Sequence, residues 1–242
     1  HISGDGAFTK QAHRYLEQAL GIPKALLTTS CTHALEMSAI LLDIQAGDEV
    51  IVPSFTFVST INAFVMRGAV PVFCDVRPDT LNMDETQLEA LISERTKAIV
   101  PVHYAGVACE MDAIMRIAER HNVTVIEDAA HAAGAEFQGS RAGALGHMAV
   151  FSFHQQKNMC TLGEGGMITT SSKELFDAAL SYRSLCCRIY GGSDKYLAID
   201  EGKYPMDKAY WQLQFDDVGY NFRMTDIQAA VGLEQLKKLD AF

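Results

Sequence analysis

The chain has 242 residues, of which 48% are hydrophobic, and its formal net charge at pH 7 is −10. This length allows one sizeable core or one large and one small domain, and no apolar run approaches the twenty residues of a membrane-spanning helix. The negative balance argues against a nucleic-acid partner, which needs clustered lysine and arginine, so an anionic ligand would require a local positive field.

Predicted helices and strands alternate through the first half of the sequence. An amphipathic helix at residues 8–20 ends at Gly21, and a short strand at 25–28 leads into a helix that opens at residues 29–32. Further strands are predicted at residues 49–53, 71–75, 98–102 and 123–128, and helices at 59–67, 85–94 and 112–121. Strands separated by helices are typical of βαβ units, so we predict an α/β fold with a mostly parallel central sheet flanked by helices.

The second half contains strands at residues 149–151 and 167–170, a helix at 173–185 and a last helix from Thr225. Residues 190–215 show no clear period of hydrophobic residues. Aromatic and charged side chains in that stretch either contact a substrate or a partner subunit or form a solvated loop: Tyr190, Lys195, Tyr196, Tyr204 and Trp211.

Lys157 lies on a short polar turn between the strands at 149–151 and 167–170. A lysine at a strand end reaches a pocket, and burial there favours the neutral amine that forms Schiff bases with pyridoxal phosphate (PLP). Asp128 ends a continuous apolar strand, where open α/β sheets bind ligands. PLP needs a lysine for its aldehyde and a carboxylate that keeps its pyridine nitrogen protonated, so Lys157 and Asp128 fit as catalytic residues. The alternatives are a solvated loop lysine and an aspartate that caps a helix.

Two further stretches suit the same cofactor. Thr32 and the backbone amide of His33 begin a helix, and helix N-termini bind phosphate, although an ordinary hydroxyl cap is an alternative. Phe57 follows a strand end and could stack on a flat ring, or belong to the core. Six scattered cysteines lack zinc-ligand spacing, so no metal site is predicted and reduced thiols in a cytoplasmic enzyme are expected.

Together, several motifs closely resemble the DegT/DnrJ/EryC1/StrS family of PLP-dependent sugar aminotransferases. They occur in the order of that family and span nearly the whole chain. The first half particularly resembles the branch that aminates C4 of dTDP-4-keto-6-deoxy-D-glucose. The motifs are Pro53-Ser54-Phe55-Thr56-Phe57, Pro101-Val102-His103-Tyr104-Ala105-Gly106, Glu127-Asp128-Ala129-Ala130-His131, Ser152-Phe153-His154 with Lys157-Asn158, Glu164-Gly165-Gly166, and Gly219-Tyr220-Asn221-Phe222-Arg223-Met224-Thr225-Asp226.

The resemblance implies a type I PLP-dependent aminotransferase fold and a homodimer with shared active sites. L-glutamate would donate the amino group and a nucleotide-linked ketosugar would accept it. Lys157 would bind the aldehyde and move the proton, Asp128 would pair with the pyridine nitrogen, and His131 would lie near the ring hydroxyl. Phe57 would stack on the ring. The phosphate would be held by Thr32, the His33 amide, Ser152 and Asn221 of the partner subunit.

The same resemblance implies that residues 1–242 form a large PLP-binding domain. Its sheet core would lie at about residues 25–185, and residues 186–242 would form a loop and the start of the connection to a small C-terminal domain that this chain lacks. Rival interpretations are a PLP-binding protein or truncated homologue without turnover, an α/β module without cofactor, and a sugar 3-dehydratase. Lys157 argues against the 3-dehydratase, since those relatives carry histidine at that position.

Overall fold

The computed structural model describes residues 2–22, 24–187 and 215–241, in which helices flank a central sheet. The strands are β1 (Lys24–Thr28), β2 (Glu49–Pro53), β3 (Val70–Cys74), β4 (Thr96–Ile99), β5 (Thr124–Asp128), β6 (Glu136–Phe137), β7 (Ser140–Arg141), β8 (Met148–Ser152) and β9 (Gly166–Thr170). The described α-helices are α1 (Ala7–Leu20), α2 (Cys31–Leu41), α3 (Ser59–Val65), α4 (Leu88–Leu91), α5 (Met111–His121), α6 (Lys173–Arg183) and α7 (Asp226–Leu236). Short 3₁₀ turns lie at Glu85–Gln87, Tyr104–Gly106 and Leu239–Ala241.

The central sheet has seven strands in the order β1-β9-β8-β5-β4-β2-β3, and β6 pairs with β7 in a separate hairpin. From β8 to β3 all neighbours are parallel, whereas β9 runs antiparallel to both β8 and β1. Parallel neighbours need a crossover, usually a helix, and the connection between β8 and β9 contains no helix, so these two strands form a hairpin. The predicted mostly parallel α/β sheet is confirmed.

Successive side chains of each strand point to opposite faces of the sheet. In β5, Ile126 packs in the cluster that contains α2, α3 and α6, whereas Val125 packs on the other face in the cluster that contains α5. The same alternation sends Asp128 towards α2 and α3 and sends Glu127 to the opposite side. None of the described helices is both long enough and apolar enough to cross a membrane.

Three predicted element boundaries were wrong. The helix predicted at 85–94 is a 3₁₀ turn followed by α4, because Ile92 is extended and the Ser93 amide binds Thr96 Oγ1 at 2.9 Å. The strand predicted at 98–102 is β4, which ends before Pro101, a residue without an amide donor. Helix α6 stops at Arg183 because Leu185 has a left-handed backbone with φ of 67°.

Buried polar contacts attach the N-terminal segment to the rest of the molecule. The N-cap of α1 is a glycine, and Asp226 fills that role from α7 by accepting bonds from the Thr9 amide at 2.7 Å and the Thr9 hydroxyl at 2.9 Å. The fully buried Arg183 binds Asp5 at 2.5 Å and the Leu27 carbonyl at 2.9 Å. Residues 215–241 and the N-terminal segment therefore pack together at one edge of the sheet.

Candidate active site

Lys157 lies on the connection between the antiparallel strands β8 and β9. The Phe153 amide donates to the Gly165 carbonyl at 2.9 Å, which continues the pairing beyond the end of β8. The Lys157 amide donates to the His154 carbonyl at 2.9 Å, and the lysine side chain is half-buried. The predicted turn between two strands is confirmed, so the amine is carried at the end of β8.

Asp128 is the last residue of β5, and only 4% of it is exposed. Its carboxylate accepts one bond from Thr60 Oγ1 at 2.9 Å and one from the Ala130 amide at 3.1 Å. Burial raises the pKa of Asp128, although both hydrogen bonds oppose this shift. No helix follows before β6, so the alternative role as a helix cap is wrong. A carboxyl group in this dry environment is stabilised by a cationic partner.

Lys157 and Asp128 influence the same two titratable side chains, Cys31 and His131. Strands β5 and β8 are adjacent, and Asp128 pairs with Val150. Burial raises the pKa of the Cys31 thiol well above its usual value, Asp128 raises it further, and Lys157 opposes the shift. Burial and Lys157 lower the pKa of His131, and Asp128 opposes this. The electrostatic fields of Lys157 and Asp128 therefore both act on Cys31 and His131.

The first turn of α2 lies beside these groups. Ser30 is the N-cap, and its hydroxyl accepts the His33 amide at 3.1 Å. The hydroxyl of Thr32 donates to Ser59 Oγ at 2.9 Å. The amides of Cys31 and Thr32 have no carbonyl partner within the helix, because first-turn amides lack one. The predicted role of the His33 amide in phosphate binding stays a prediction.

Gly166 allows α2 to begin close to the sheet. A Cβ atom at this position would lie 2.3 Å from the Ser30 carbonyl carbon, so any side chain would displace the start of α2. Gly166 pairs with Thr28 of β1 on one side and with Ser152 of β8 on the other. Ser152, which is 8% exposed, therefore lies one strand away from the first-turn amides.

Three rings stack at the start of α2. The His33 ring lies parallel to the Phe222 ring with centroids 4.1 Å apart, and Tyr220 stacks on Phe222 at 4.8 Å. Thr29 Oγ1 and His33 Nδ1 are hydrogen-bonded at 2.6 Å. Asn221 is exposed between the two aromatic residues, so it lies near the first turn of α2 within its own chain.

The aromatic residue next to His131 is Tyr104. Their rings meet edge to face with centroids 5.8 Å apart, and Phe55 contacts Tyr104 in the same way at 5.4 Å. The Ala105 amide donates to His131 Nδ1 at 3.3 Å, so neutral His131 carries its proton on Nε2. Phe57 is 73% exposed, and its stacking role stays a prediction.

Six of the predicted site residues fall into two groups. Asp128 and His131 lie at and just after the end of β5, within electrostatic reach of Lys157, and Thr32, His33 and Ser152 lie around the start of α2. The candidate contacts Tyr190, Lys195, Tyr196, Tyr204 and Trp211 lie outside the described residues.

A family model for the DegT/DnrJ/EryC1/StrS aminotransferase family matches residues 2–242. The chain belongs to this family. Its structural neighbours are PLP-dependent aminotransferases, so the type I aminotransferase fold expected from the sequence is confirmed.

The DegT-family chain is similar to enzymes of sugar metabolism. It is 42% identical to a GDP-perosamine synthase of Caulobacter vibrioides, over 99% of this chain and 59% of that protein. Among solved structures, Helicobacter pylori PseC, an aminotransferase of pseudaminic acid biosynthesis, matches with a TM-score of 0.86 at 32% identity, over 99% of this chain and 60% of that one. Streptococcus pneumoniae Spr1654 in its PLP form matches with a TM-score of 0.85 at 29% identity, over 99% and 61%. The chain therefore spans about 60% of the length of the proteins it matches.

The residues present fit the PLP of this family. Asp128 supplies a carboxyl whose pKa is raised by burial, and a cation such as a protonated pyridine nitrogen would oppose that shift and stabilise the carboxylate. The close approach of α2 at Gly166 leaves first-turn amides facing the strand ends, where a phosphate group is stabilised by the helix dipole. The amine of Lys157 lies within electrostatic reach of the same region.

Sequence reasoning assigned no role to several residues that build this site. Thr60 is a hydrogen-bond donor to Asp128, and Ser30 is the cap of α2. Glu127 is fully buried and binds His103 Nε2 at 2.9 Å. The only sequence signals that could have indicated such roles were the hydroxyl of Thr60 in the first turn of a predicted helix and the acid Glu127 inside an apolar strand.

Proposed function

We propose that this protein is a PLP-dependent aminotransferase that moves an amino group from L-glutamate to a nucleotide-linked 4-keto-6-deoxy sugar. The product would serve surface polysaccharide or glycoconjugate biosynthesis. The main support is the placement of an amine, Lys157, and a buried acid, Asp128, at the ends of adjacent strands. The sugar-aminotransferase relatives support the substrate class. The six free cysteines agree with the expected cytoplasmic location.

In this proposal Lys157 and Asp128 divide the catalytic work. Bound PLP supplies an electron-withdrawing ring that stabilises negative charge at the substrate carbon. The amine of Lys157 would take the proton from that carbon and return it. Asp128, held by Thr60, keeps a proton on the pyridine nitrogen. His131 would donate from Nε2–H to the ring hydroxyl, and Phe57 would cover the ring.

The proposed homodimer would complete the site. Phosphate would be bound by Thr32, the His33 amide and Ser152, together with Asn221 of the partner subunit. Large apolar side chains on the loop before α3, at the end of α3 and on β3 are exposed in the single chain, including Phe57, Met66 and Phe73 at 73%, 75% and 57%. Exposed apolar groups of this size mark contact surfaces, which supports an assembly with a second copy.

The reaction itself is tested with ¹⁵N-labelled glutamate. The PLP-loaded full-length protein is mixed with GDP-, UDP- and dTDP-linked 4-keto-6-deoxy sugars, and the sugar products are analysed by mass spectrometry. We expect ¹⁵N on one sugar nucleotide together with an equal amount of 2-oxoglutarate. PLP uptake without labelling of any of these sugars would contradict the proposed transfer and favour a binding protein without turnover.

Asp128→Asn is expected to lower the rate of amine transfer by about 100-fold to 1,000-fold, in the range measured when one preorganised electrostatic partner is lost. Asparagine retains the shape but does not hold a proton on the pyridine nitrogen. Initial rates of 2-oxoglutarate formation measure the effect. Asp112→Asn, on the exposed side of α5, is the matched control and should retain the normal rate. Equal rates for the two variants would remove Asp128 from this role.

A further inference from the structure

A cavity of about 620 Å³ opens beside His131. It is separate from the first turn of α2 and reaches the turn that carries the catalytic amine, because Asn158 directly follows Lys157. The lining comes from the 3₁₀ turn at Tyr104–Gly106, the segment after β5, the hairpin β6–β7 and the end of the described chain: Gly106, His131, residues 133–135, Arg141, Asn158 and Leu239.

Arg141 gives this cavity a positive charge. Among the described residues that line it, Arg141 is the one with a permanent charge, since a lowered pKa keeps His131 neutral near pH 7. The chain as a whole carries a net charge of −10, so an anion would be repelled by most of the surface. An anionic substrate therefore needs a local positive charge in this cavity, and Arg141 supplies one.

The contacts of Arg141 orient its guanidinium group without using all of its donors. Nη1 donates to the Gly134 carbonyl at 2.5 Å, and Nε lies 3.3 Å from Glu136 Oε1. A guanidinium group has five N–H donors in a planar fork that matches carboxylate and phosphate oxygens. Glu136 is half-exposed and competes with any incoming anion for the same charge.

Asn158 adds a polar group on the side of the catalytic turn. Its side-chain amide donates to the Ala133 carbonyl at 3.3 Å, which fixes the orientation of the amide group. The cavity thus extends from the arginine of the hairpin to the residue that follows Lys157. A substrate that reacts at Lys157 could place a charged group at Arg141.

We infer that this cavity binds the anionic group of a substrate and that Arg141 is its cationic partner. The inference rests on the proposed function, because both proposed substrates carry such a group. Glutamate would supply a carboxylate, and a sugar nucleotide would supply its diphosphate. In either case the anion displaces Glu136 from Arg141.

Equilibrium titration tests this assignment without relying on turnover. Glutarate, as the dicarboxylate probe, and inorganic pyrophosphate, as the phosphate probe, are each titrated calorimetrically into the PLP-loaded full-length protein. Arg141→Gln is expected to lower the affinity for one of the two probes by about tenfold, in line with the loss of a charged hydrogen bond. Glu136→Gln is expected to raise the affinity for the same probe, because the competing carboxylate is removed. A purely structural role of Arg141 would not produce opposite effects at these two positions.

Arg116→Gln is the control, since this arginine is exposed on α5. Weaker glutarate binding alone would assign the cavity to the amino donor, and weaker pyrophosphate binding alone would assign it to the sugar nucleotide. Unchanged affinity of Arg141→Gln for both probes, in protein with the normal circular dichroism spectrum, would overturn the inference. Absence of amine transfer by the unmodified protein would contradict the proposed function, whereas the titrations would still decide the role of Arg141.

Discussion

Replacement of Lys157 by alanine is expected to lower the rate of amine transfer by at least about 1,000-fold, within the range for loss of a positioned acid–base group. The methyl group of alanine neither binds an aldehyde nor carries a proton. The fold should persist, because Lys157 is half-buried and the bond between its backbone amide and the His154 carbonyl does not depend on the side chain. Single-turnover measurements of 2-oxoglutarate formation give the rate.

Lys97→Ala is the matched control for this substitution. Lys97 is exposed on β4, which is separated from β8 by β5 in the sheet. Its loss should leave the rate of amine transfer within about twofold of normal. Should Lys157→Ala transfer amine within tenfold of the unmodified protein, another group must move the proton, and the proposed assignment of the catalytic amine would be wrong.

Replacement of Glu127 by alanine is expected to lower the free energy of unfolding by at least about 3 kcal/mol. The carboxylate has no exposed surface and accepts bonds from His103 Nε2 at 2.9 Å and from the amides of Gly143, Leu145 and Gly146 at 2.8, 2.8 and 2.7 Å. Alanine would leave these donors without partners in a dry interior. Guanidinium unfolding followed by circular dichroism measures the change.

Glu89 provides the comparison for Glu127. It also binds a histidine, His121, and an arginine, Arg120, but its side chain is 52% exposed. Exposed ion pairs contribute about 0–1 kcal/mol, so Glu89→Ala should reduce stability by no more than that. If the two alanine variants unfold at the same denaturant concentration, the buried hydrogen bonds of Glu127 do not stabilise the end of β5.

The strand ends could be predicted from the sequence. A mostly apolar run ending in Asp128 specifies a buried strand and the position where it stops, and glycines from Gly163 onwards end the turn that carries Lys157. In a parallel pair both ends emerge at the same edge of the sheet. Local pattern and strand geometry therefore sufficed to predict that the acid and the turn of the amine follow the ends of neighbouring strands.

The contacts that support these two residues could not be predicted in the same way. Thr60 lies 68 residues before Asp128 in the sequence, and nothing local to either residue indicates that their side chains meet. The hairpin that presents Arg141 has two residues in each strand, which is too short for a periodic signal. In α4, the competing bond from Ser93 to Thr96 ends a helix that periodicity alone would extend.

Chemical trapping tests the central assignment most directly. The full-length protein is loaded with PLP, reduced with sodium borohydride and digested, and the peptide that retains the cofactor is identified by mass spectrometry. We predict that the cofactor is attached to Lys157 and that Lys157→Ala loses this labelled peptide while Lys97→Ala keeps it. Attachment to a different lysine, or no attachment in protein that remains folded, would contradict the account.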